Sequence, residues 1–302
     1  MSALSVERIV FPVTLSDGNT YSLVGHLYFH GTWRNRPLQV ALHGGNYNHK
    51  YWDIPEINGR AYSYAQFMAR RNHAVLALDL LGSGSSSKPD ADFLSFQEMA
   101  SAVHQVLASL RSGANPHGYV FRSMALVGHS LGSALAAYVQ GTYRDADAVV
   151  STGLVFVSYQ RPMDPELIKE RAKEPYFKLP PEVRRSVFHR MAGADPAVLD
   201  YDCTHLDDFI PRGYVFTLFP FLSDPSVTRV NQVTSPVLVQ LGEFDALAPG
   251  SLAQQELAVW SGASRRSVQV VPSVGHCFNS HLANLGSWAG IDAWLSETLT
   301  KP

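Results

Sequence analysis

The chain has 302 residues, of which 46% are hydrophobic and 17% charged, and its formal net charge is −2. This balance is typical of a globular protein with a large core, and it gives no electrostatic reason to expect nucleic acid or an anionic membrane as a partner. The two cysteines, Cys203 and Cys277, exclude a disulfide scaffold and favour a reducing compartment. The sequence shows neither a signal peptide pattern nor the roughly 18 apolar residues of a membrane span, so we expect a soluble cytoplasmic protein.

Short apolar runs alternate along the chain with helical patterns. The first two β-rich segments, residues 5–14 and 21–29, flank an Asp-Gly pair that signals a hairpin. Continuously apolar runs then predict buried strands at residues 38–45, 73–80, 123–129, 147–157, 235–242 and 267–272. Between them, one helix is predicted at residues 63–72, and another begins at Ser95, which matches a capping box with Glu98. Helical spacing also follows the 123–129 run and closes the chain.

Strands that alternate with helices imply an α/β fold, in which right-handed βαβ units form a mostly parallel central sheet flanked by helices. Residues 158–233 break the alternation, since they hold no clear buried strand and two helical pieces, 164–174 and 180–191, that begin near proline. We therefore expect a core formed by residues 1–157 and 234–302 and a helical cap or lid at 158–233.

Aromatic residues are frequent in the expected cap. They favour an apolar wall around a substrate, and core packing alone is the alternative. They are Tyr159, Tyr176, Phe177, Phe188, Tyr201, Phe209, Tyr214, Phe216, Phe219 and Phe221.

The pentapeptide GHSLG, residues 128–132, matches the pattern G-x-S-x-G between a predicted strand and a predicted helix. A tight strand-to-helix turn holds its central residue, Ser130, in strained backbone geometry, and the small neighbours Gly128 and Gly132 let the strand and helix pack closely. The hydroxyl group then projects above the end of the strand. The N-terminal N–H groups of the following helix face the position where an oxyanion would develop. The pattern in this setting predicts a nucleophilic serine.

With this pentapeptide, the chain resembles the α/β-hydrolase superfamily over nearly its whole length, in the branch of serine esterases and lipases with a helical cap. The motifs that carry the resemblance occur in the order of the family. They are LHGG (42–45), LDLLGSGSS (78–86), GHSLG (128–132), GEFD (242–245) and GH (275–276).

The resemblance implies a Ser–His–Asp triad. A serine hydroxyl is a weak nucleophile that needs a base within hydrogen-bond reach, and the family position of that base falls on His276. The acid that orients the histidine falls on Asp245, directly after a buried strand, with Glu243 as the competing carboxylate. Some relatives carry the acid after the preceding sheet strand, but here no acid occurs there before Asp164.

The resemblance also implies an oxyanion hole formed by the backbone N–H groups of Leu131 and Gly45. His43, which precedes the glycines, is expected to brace loops rather than to react. Asn46, Tyr47, His129, Tyr159 and Phe216 are candidates for the substrate pocket. His49, Tyr51 and Trp52 are further candidates, for which a purely structural role is equally open.

The expected function is hydrolysis of an ester, thioester or lactone with an apolar or aromatic acyl part, through an acyl-enzyme. A small-molecule substrate is expected, and no cofactor. No metal is expected, because the sequence has neither an HExxH motif nor a Cys/His cluster. Asp79 is expected to brace a loop and Cys277 to be a buried thiol. Two alternatives stay open: the same triad as an acyltransferase or a carbon–carbon bond hydrolase or lyase on a polyketide-like substrate, and a non-catalytic binding protein on the same fold. The oligomeric state stays open as well.

Overall fold

A twisted sheet forms the centre of the structure, a computed structural model that describes residues 4–159, 165–218, 222 and 224–299. The strands of these residues are β1 (Leu4–Thr14), β2 (Thr20–His30), β3 (Leu38–Leu42), β4 (Ile54–Ile57), β5 (Arg60–Tyr62), β6 (Ala74–Asp79), β7 (Met124–His129), β8 (Ala148–Thr152), β9 (Tyr176–Phe177), β10 (Ile210–Pro211), β11 (Val237–Gly242) and β12 (Arg266–Val271). Eight of them form the central sheet, in the order β1-β2-β6-β3-β7-β8-β11-β12. β4 pairs with β5 and β9 with β10 in two small separate sheets.

The central sheet is parallel from β6 to β12. Only the pairs β1–β2 and β2–β6 are antiparallel, which gives one edge of the sheet the opening hairpin that the sequence predicts. β3 lies between β6 and β7, so the chain crosses over the sheet to reach each of its parallel neighbours. The carboxyl ends of β3, β7, β8 and β11 therefore meet at one edge, where the loops that follow them come together. The predicted α/β fold is confirmed.

Helices cover both faces of the sheet. In the described residues they are α1 (Tyr64–Ala69), α2 (Phe96–Ser112), α3 (Leu131–Tyr143), α4 (Pro165–Arg171), α5 (Pro181–Val183), α6 (Pro196–Tyr201), α7 (Arg212–Leu218), α8 (Pro225–Thr228), α9 (Ala253–Val259) and α10 (Asn284–Leu299). One buried core joins α2, α3 and α9 to one face, and a second core joins α1 and α10 to the other. Successive residues of β3 alternate between them, with Val40 and Leu42 in the first core and Ala41 in the second. No helix of these residues combines the length and apolar character that crossing a membrane requires.

The cap of α2 forms only partly as the capping box predicts. The Ser95 hydroxyl accepts the N–H of Glu98, which satisfies one of the free donors in the first turn. The Glu98 carboxylate does not return to Ser95; it accepts hydrogen bonds from the backbone and hydroxyl of Ser16. Glu98 therefore ties the turn between β1 and β2 to this helix.

In the described residues of 158–233, which we call the insertion, the chain is less regular than the sequence predicts. The helix predicted at 164–174 extends in the described residues over Pro165–Arg171. The helix predicted at 180–191 is three residues of α5 followed by a π-helical turn, Arg184–Phe188. Asp164, Phe219 and Phe221, named above from the sequence, lie outside the described residues.

Two predicted strands end early. The run at 147–157 forms a strand only over Ala148–Thr152, because Gly153 adopts a positive φ of 65° and turns the chain out of the sheet. The run at 38–45 ends as a strand at Leu42, and the glycines that follow form a loop. Both early ends lie at the carboxyl edge of the sheet, beside Ser130.

Candidate active site

Ser130 lies in a sharp turn between β7 and α3. Its φ of 53° and ψ of −121° belong to a region that residues other than glycine rarely adopt. The turn is held by a hydrogen bond from the Ser130 N–H to the carbonyl of Thr152 on the neighbouring strand, 2.8 Å long. A side chain at Gly128 would lie 2.5 Å from the carbonyl oxygen of Gly132, and one at Gly132 would lie 2.3 Å from that of Leu42. The turn can therefore form only with glycine at both positions.

Ser130, His276 and Asp245 form a continuous chain of hydrogen bonds. The Ser130 hydroxyl donates to Nε2 of His276 over 2.9 Å. Nδ1 of His276 donates to the two carboxylate oxygens of Asp245, at 3.1 and 3.0 Å. His276 is 2% exposed and Asp245 1% exposed, so water barely reaches either side chain. The loops after β7, β11 and β12 thus bring together three residues that are far apart in the sequence.

Asp245, rather than Glu243, faces the histidine. Oδ1 of Asp245 also accepts the N–H groups of Leu247 and Ala248, at 2.8 and 2.9 Å, which fixes the carboxylate within its own turn. Glu243 is exposed, and its carboxylate accepts the N–H of Ser273 instead. The carboxylate that could compete in the sequence therefore points away from the site.

A second buried histidine braces the loop that carries His276. Nε2 of His281 accepts two backbone N–H groups at 3.0 Å, one from Gly275 beside the candidate base and one from Arg190 in the insertion. Its other nitrogen donates to the carbonyl of Cys277 over 2.7 Å. Burial lowers the pKa of His281 to about 4. This imidazole is therefore a neutral structural group that joins the His276 loop to the insertion.

The candidate oxyanion donors lie next to each other. A Cβ atom on Gly45 would be 2.8 Å from the side chain of Leu131, and one on Gly44 would be 3.1 Å from Cβ of Ser130. Leu131 is the first residue of α3, where backbone N–H groups have no partner within the helix. In the parts of the chain that the structure describes, neither the N–H of Gly45 nor that of Leu131 donates to a protein acceptor. Both groups are thus free to bind an oxygen atom beside Ser130.

His43 braces this loop, as the sequence predicts. Its Nδ1 donates to the carbonyl of Gly44 over 2.8 Å, and its Nε2 accepts the N–H of Leu80 over 3.1 Å. Burial lowers the pKa of His43, so the ring is neutral. The hydrogen bonds leave no ring nitrogen facing Ser130.

Asp79 also braces a loop. It is fully buried, and its carboxylate accepts the N–H of Ser85 as well as the backbone and ring N–H of His49. His26 stacks on His49, with ring centroids 3.5 Å apart, and its Nε2 lies 3.6 Å from the carboxylate. The donor atoms of these three residues lie close enough together to hold a metal ion, a cluster that sequence reasoning missed. In the structure the Asp79 carboxylate accepts hydrogen bonds from His49 and Ser85.

A cavity of about 430 Å³ opens onto Ser130 and His276. Its size falls within the range of small-molecule sites, and most of its wall is apolar. All five residues that the sequence predicts for the pocket contribute to the wall: Asn46, Tyr47, His129, Tyr159 and Phe216. The other residues of the insertion in the wall are Ile168, Lys169, Phe177, Leu179, Phe188, Ile210, Val215 and Leu222.

Sequence reasoning overestimated the aromatic share of this wall. Four aromatic residues of the insertion line the cavity, and most of the other wall residues that the insertion contributes are aliphatic. Tyr176, Tyr201, Phe209 and Tyr214 pack elsewhere; the Tyr214 hydroxyl, for example, donates to the carbonyl of Leu131. Aliphatic residues were missed because isoleucine, leucine and valine in a helical segment carry no signal that separates cavity wall from core.

The residues after the glycine loop divide between wall and core. Tyr47 lines the cavity, whereas Tyr51 and Trp52 are buried in the core beneath it, and His49 pairs with Asp79. The structure therefore supports the purely structural role for His49, Tyr51 and Trp52.

His129 lies behind the nucleophile rather than in the hydrogen-bonded chain. Its ring stacks on Tyr51 with centroids 4.5 Å apart, and its Nδ1 lies 3.2 Å from the hydroxyl of Thr152. Burial, reinforced by the neighbouring His276 and His43, holds its pKa well below the usual range. A neutral imidazole in this position supports the turn without adding charge beside His276.

This architecture, with a serine turn after the central strand and loops converging on it, defines an α/β hydrolase. The sequence model of the alpha/beta hydrolase family matches residues 39–283, and the chain belongs to this family. None of the curated proteins matches the chain.

Solved structures with the same fold include several hydrolases. An esterase from Thermogutta terrifontis superposes with a TM-score of 0.69 at 18% identity, covering 97% of this chain and 100% of that one. A monoacylglycerol lipase from Paleococcus ferrophilus gives 0.66 at 15% identity, covering 98% and 99%. An esterase from Exiguobacterium antarcticum gives 0.67 at 17% identity, covering 96% and 99%. At these identities the likeness concerns the fold.

Proposed function

We propose that the protein is a serine hydrolase that cleaves an ester, thioester or lactone with an apolar acyl part. The observation that carries the proposal is the hydrogen-bonded chain Ser130–His276–Asp245, whose serine opens onto an apolar cavity. A carboxylate only accepts, so Nδ1 of His276 is the donor to Asp245, and a neutral ring then leaves Nε2 to accept the proton of the hydroxyl.

The reaction follows from these positions. Oγ of Ser130 attacks the carbonyl carbon while Nε2 of His276 accepts its proton, and Asp245 stabilises the imidazolium that forms. The N–H groups of Gly45 and Leu131 bind the oxyanion of the tetrahedral intermediate. His276 then gives its proton to the leaving group. Water attacks the acyl-enzyme by the same sequence, and the acid is released.

The acyl group occupies the cavity, and the insertion acts as its cap. Leu179, Ile210 and Val215 of the insertion and Leu154 and Leu247 of the core all contribute to the cavity wall. Such walls favour hydrocarbon over polar chains, because burial of apolar surface contributes roughly 25 cal/mol per Å². The substrate is therefore a small molecule whose acyl part is aliphatic or aromatic.

A fluorophosphonate probe tests the nucleophile. We expect one covalent adduct, on Ser130, located by mass spectrometry of the labelled protein. Unfolded protein and the variant Ser130→Ala serve as controls and should stay unlabelled. No adduct on Ser130 in the folded protein would contradict the mechanism.

A panel of p-nitrophenyl esters of increasing acyl length, together with lactones, tests the reaction and the substrate class. We expect turnover that depends on Ser130 and that rises as the acyl chain fills the cavity. Product analysis with a competing alcohol separates hydrolysis from acyl transfer. Covalent labelling without turnover of any member of the panel would favour a binding protein instead.

A further inference from the structure

A buried ion pair lies in the insertion directly beneath the glycine loop. The guanidinium of Arg184 donates from Nη2 to Oδ2 of Asp202 over 2.7 Å, and the two side chains are 0% and 1% exposed. Burial alone would raise the pKa of Asp202, but the contacts with His189 and Arg184 outweigh it and keep the pKa below its usual value. Both partners are therefore charged in a place from which water is excluded.

Each member of this pair also binds the loop that carries Gly45. Nη1 of Arg184 donates to the carbonyl of Asn46 over 3.1 Å. The Tyr47 hydroxyl donates to Oδ1 of Asp202 over 2.7 Å, and the guanidinium lies over the Tyr47 ring, 4.5 Å from its centre. The ion pair thus contacts the two residues that directly follow the candidate oxyanion donor.

The backbone at Asn46 is held by the insertion on several sides. Its φ is 60°, which is uncommon for a residue other than glycine, although asparagine adopts it more readily than most. Its side-chain amide donates to the carbonyls of Phe177 and Asp208, while its own carbonyl accepts the N–H of Asp208 as well as the guanidinium. All of these partners belong to the insertion, so the insertion fixes the direction of the peptide that follows Asn46.

We propose that Arg184 and Asp202 are positioning residues, which hold the glycine loop in the conformation that directs the Gly45 N–H at the oxyanion. This inference rests on the proposed hydrolase function and deepens it. Neither residue touches the substrate. They act through the Asn46 carbonyl and the Tyr47 ring, whose positions set the backbone of the preceding residue.

Loss of the ion pair should weaken binding of the transition state more than binding of the substrate in its ground state. Ester substrates bind through the whole cavity wall, of which Asn46, Tyr47 and Phe188 contact the ion pair, so KM should change less than kcat when the pair is lost. The oxyanion forms only in the transition state, and a displaced donor lowers kcat. We expect a fall of about tenfold to a hundredfold, since loss of one oxyanion donor or a shift of about 1 Å has effects of that order or larger.

The experiment compares Arg184→Met and the double variant Arg184→Met/Asp202→Asn with the wild-type protein. The double variant removes both charges of the buried pair, leaves Asp207 with Lys178 as its partner, and keeps an acceptor for the Tyr47 hydroxyl, so it folds even where the single variant does not. Thermal melts followed by circular dichroism confirm the fold of each. Arg212→Met is the matched control, because Arg212 also joins the insertion to the core through Asp92, at 2.5 Å, but does not contact the glycine loop.

Two inhibitors report on the oxyanion hole separately from the cavity. An alkylboronic acid forms a tetrahedral adduct with Ser130 and places an oxygen where the oxyanion forms, whereas the alkanol of the same length fills the cavity without an adduct. In the double variant we expect kcat and boronic acid affinity to fall by the same factor, with KM and alkanol affinity changed less than about twofold. The control Arg212→Met should keep all four values within about twofold.

The outcomes separate the two proposals. Unchanged kcat and boronic acid affinity in the folded double variant would overturn the positioning role, and so would an equal loss in Arg212→Met, which would mean general loosening of the insertion. If the wild-type protein shows no turnover that depends on Ser130, the proposed hydrolase function itself fails, and the positioning role falls with it.

Discussion

The buried ring of His281 gives the protein a specific sensitivity to acid. Its Nε2 accepts the N–H groups of Gly275 and Arg190, so a proton on this nitrogen would face two donors and break both bonds. The ring is fully buried, and its pKa falls from the ordinary 6.5 to about 4. The folded protein therefore binds a proton at His281 less readily than the unfolded chain does.

The sign and size of the effect follow from linkage. Well above pH 6.5 neither state is protonated at this residue, and its contribution to stability is complete. As the pH falls from 6.5 towards 4, the unfolded chain binds the proton first, so the free energy of unfolding decreases. At about pH 5 the loss attributable to His281 is about 2 kcal/mol.

Urea unfolding of the wild-type protein and of His281→Gln at about pH 7.5 and about pH 5 measures this loss. Glutamine does not titrate, and its carbonyl oxygen can accept the N–H groups of Gly275 and Arg190. The variant starts from a lower stability at neutral pH because the bond to the Cys277 carbonyl is weakened. Between the two pH values it should lose about 2 kcal/mol less than the wild-type protein.

Comparing the two proteins removes the contribution of other groups. His43, His73 and His129 also have pKa values lowered by burial, but they act alike in both proteins. Equal losses of stability in the wild-type protein and His281→Gln would refute the reasoning. They would show that the ring of His281 takes up a proton as easily in the folded state as in the unfolded one.

Three further predictions concern single positions. Asp245→Asn should lower kcat by about four orders of magnitude with little change in fold, because His276 loses its orienting carboxylate; ester turnover measures it. Ser95→Ala should cost about 1 kcal/mol of unfolding free energy, because the N–H of Glu98 loses its acceptor; a urea midpoint that does not move would contradict this. The thiol of Cys277 should react with Ellman's reagent only after unfolding, because burial raises its pKa well above the usual range; fast reaction in the folded Cys203→Ala variant would contradict this.

The sequence by itself determined the parallel sheet and the turn that carries Ser130. Continuously apolar strands alternating with helices are enough to predict a parallel sheet, and the loops after parallel strands necessarily meet at one edge. The serine turn between Gly128 and Gly132 is local, because the conformation depends on neighbours within the same pentapeptide. For this reason the elements and Ser130 could be predicted from local patterns, whereas Asp245 and His276 followed from the order of motifs in the family that the chain resembles.

The resemblance favoured Asp245 as the acid, but the local pattern alone did not exclude Glu243. Asp245 and Glu243 are two residues apart after the same strand, and either could reach a histidine. The turn decides between them, since Leu247 and Ala248 hold Asp245 inward while Ser273 binds Glu243 at the surface. The bond between Glu243 and Ser273 depends on how β11 and β12 lie side by side, whereas the bonds of Asp245 lie within its own turn.

The walls of the cavity and the support of the glycine loop were decided only by the tertiary structure. Arg184 and Arg185 are neighbours in one predicted helix, and no local pattern separates them. Arg184 is fully buried because its charge and its donors are matched by Asp202 and by Asn46, which lies 138 residues away. Arg185 pairs with Asp200 at the surface. A buried charge is stable only where distant partners surround it, and that surrounding exists only once the chain has folded.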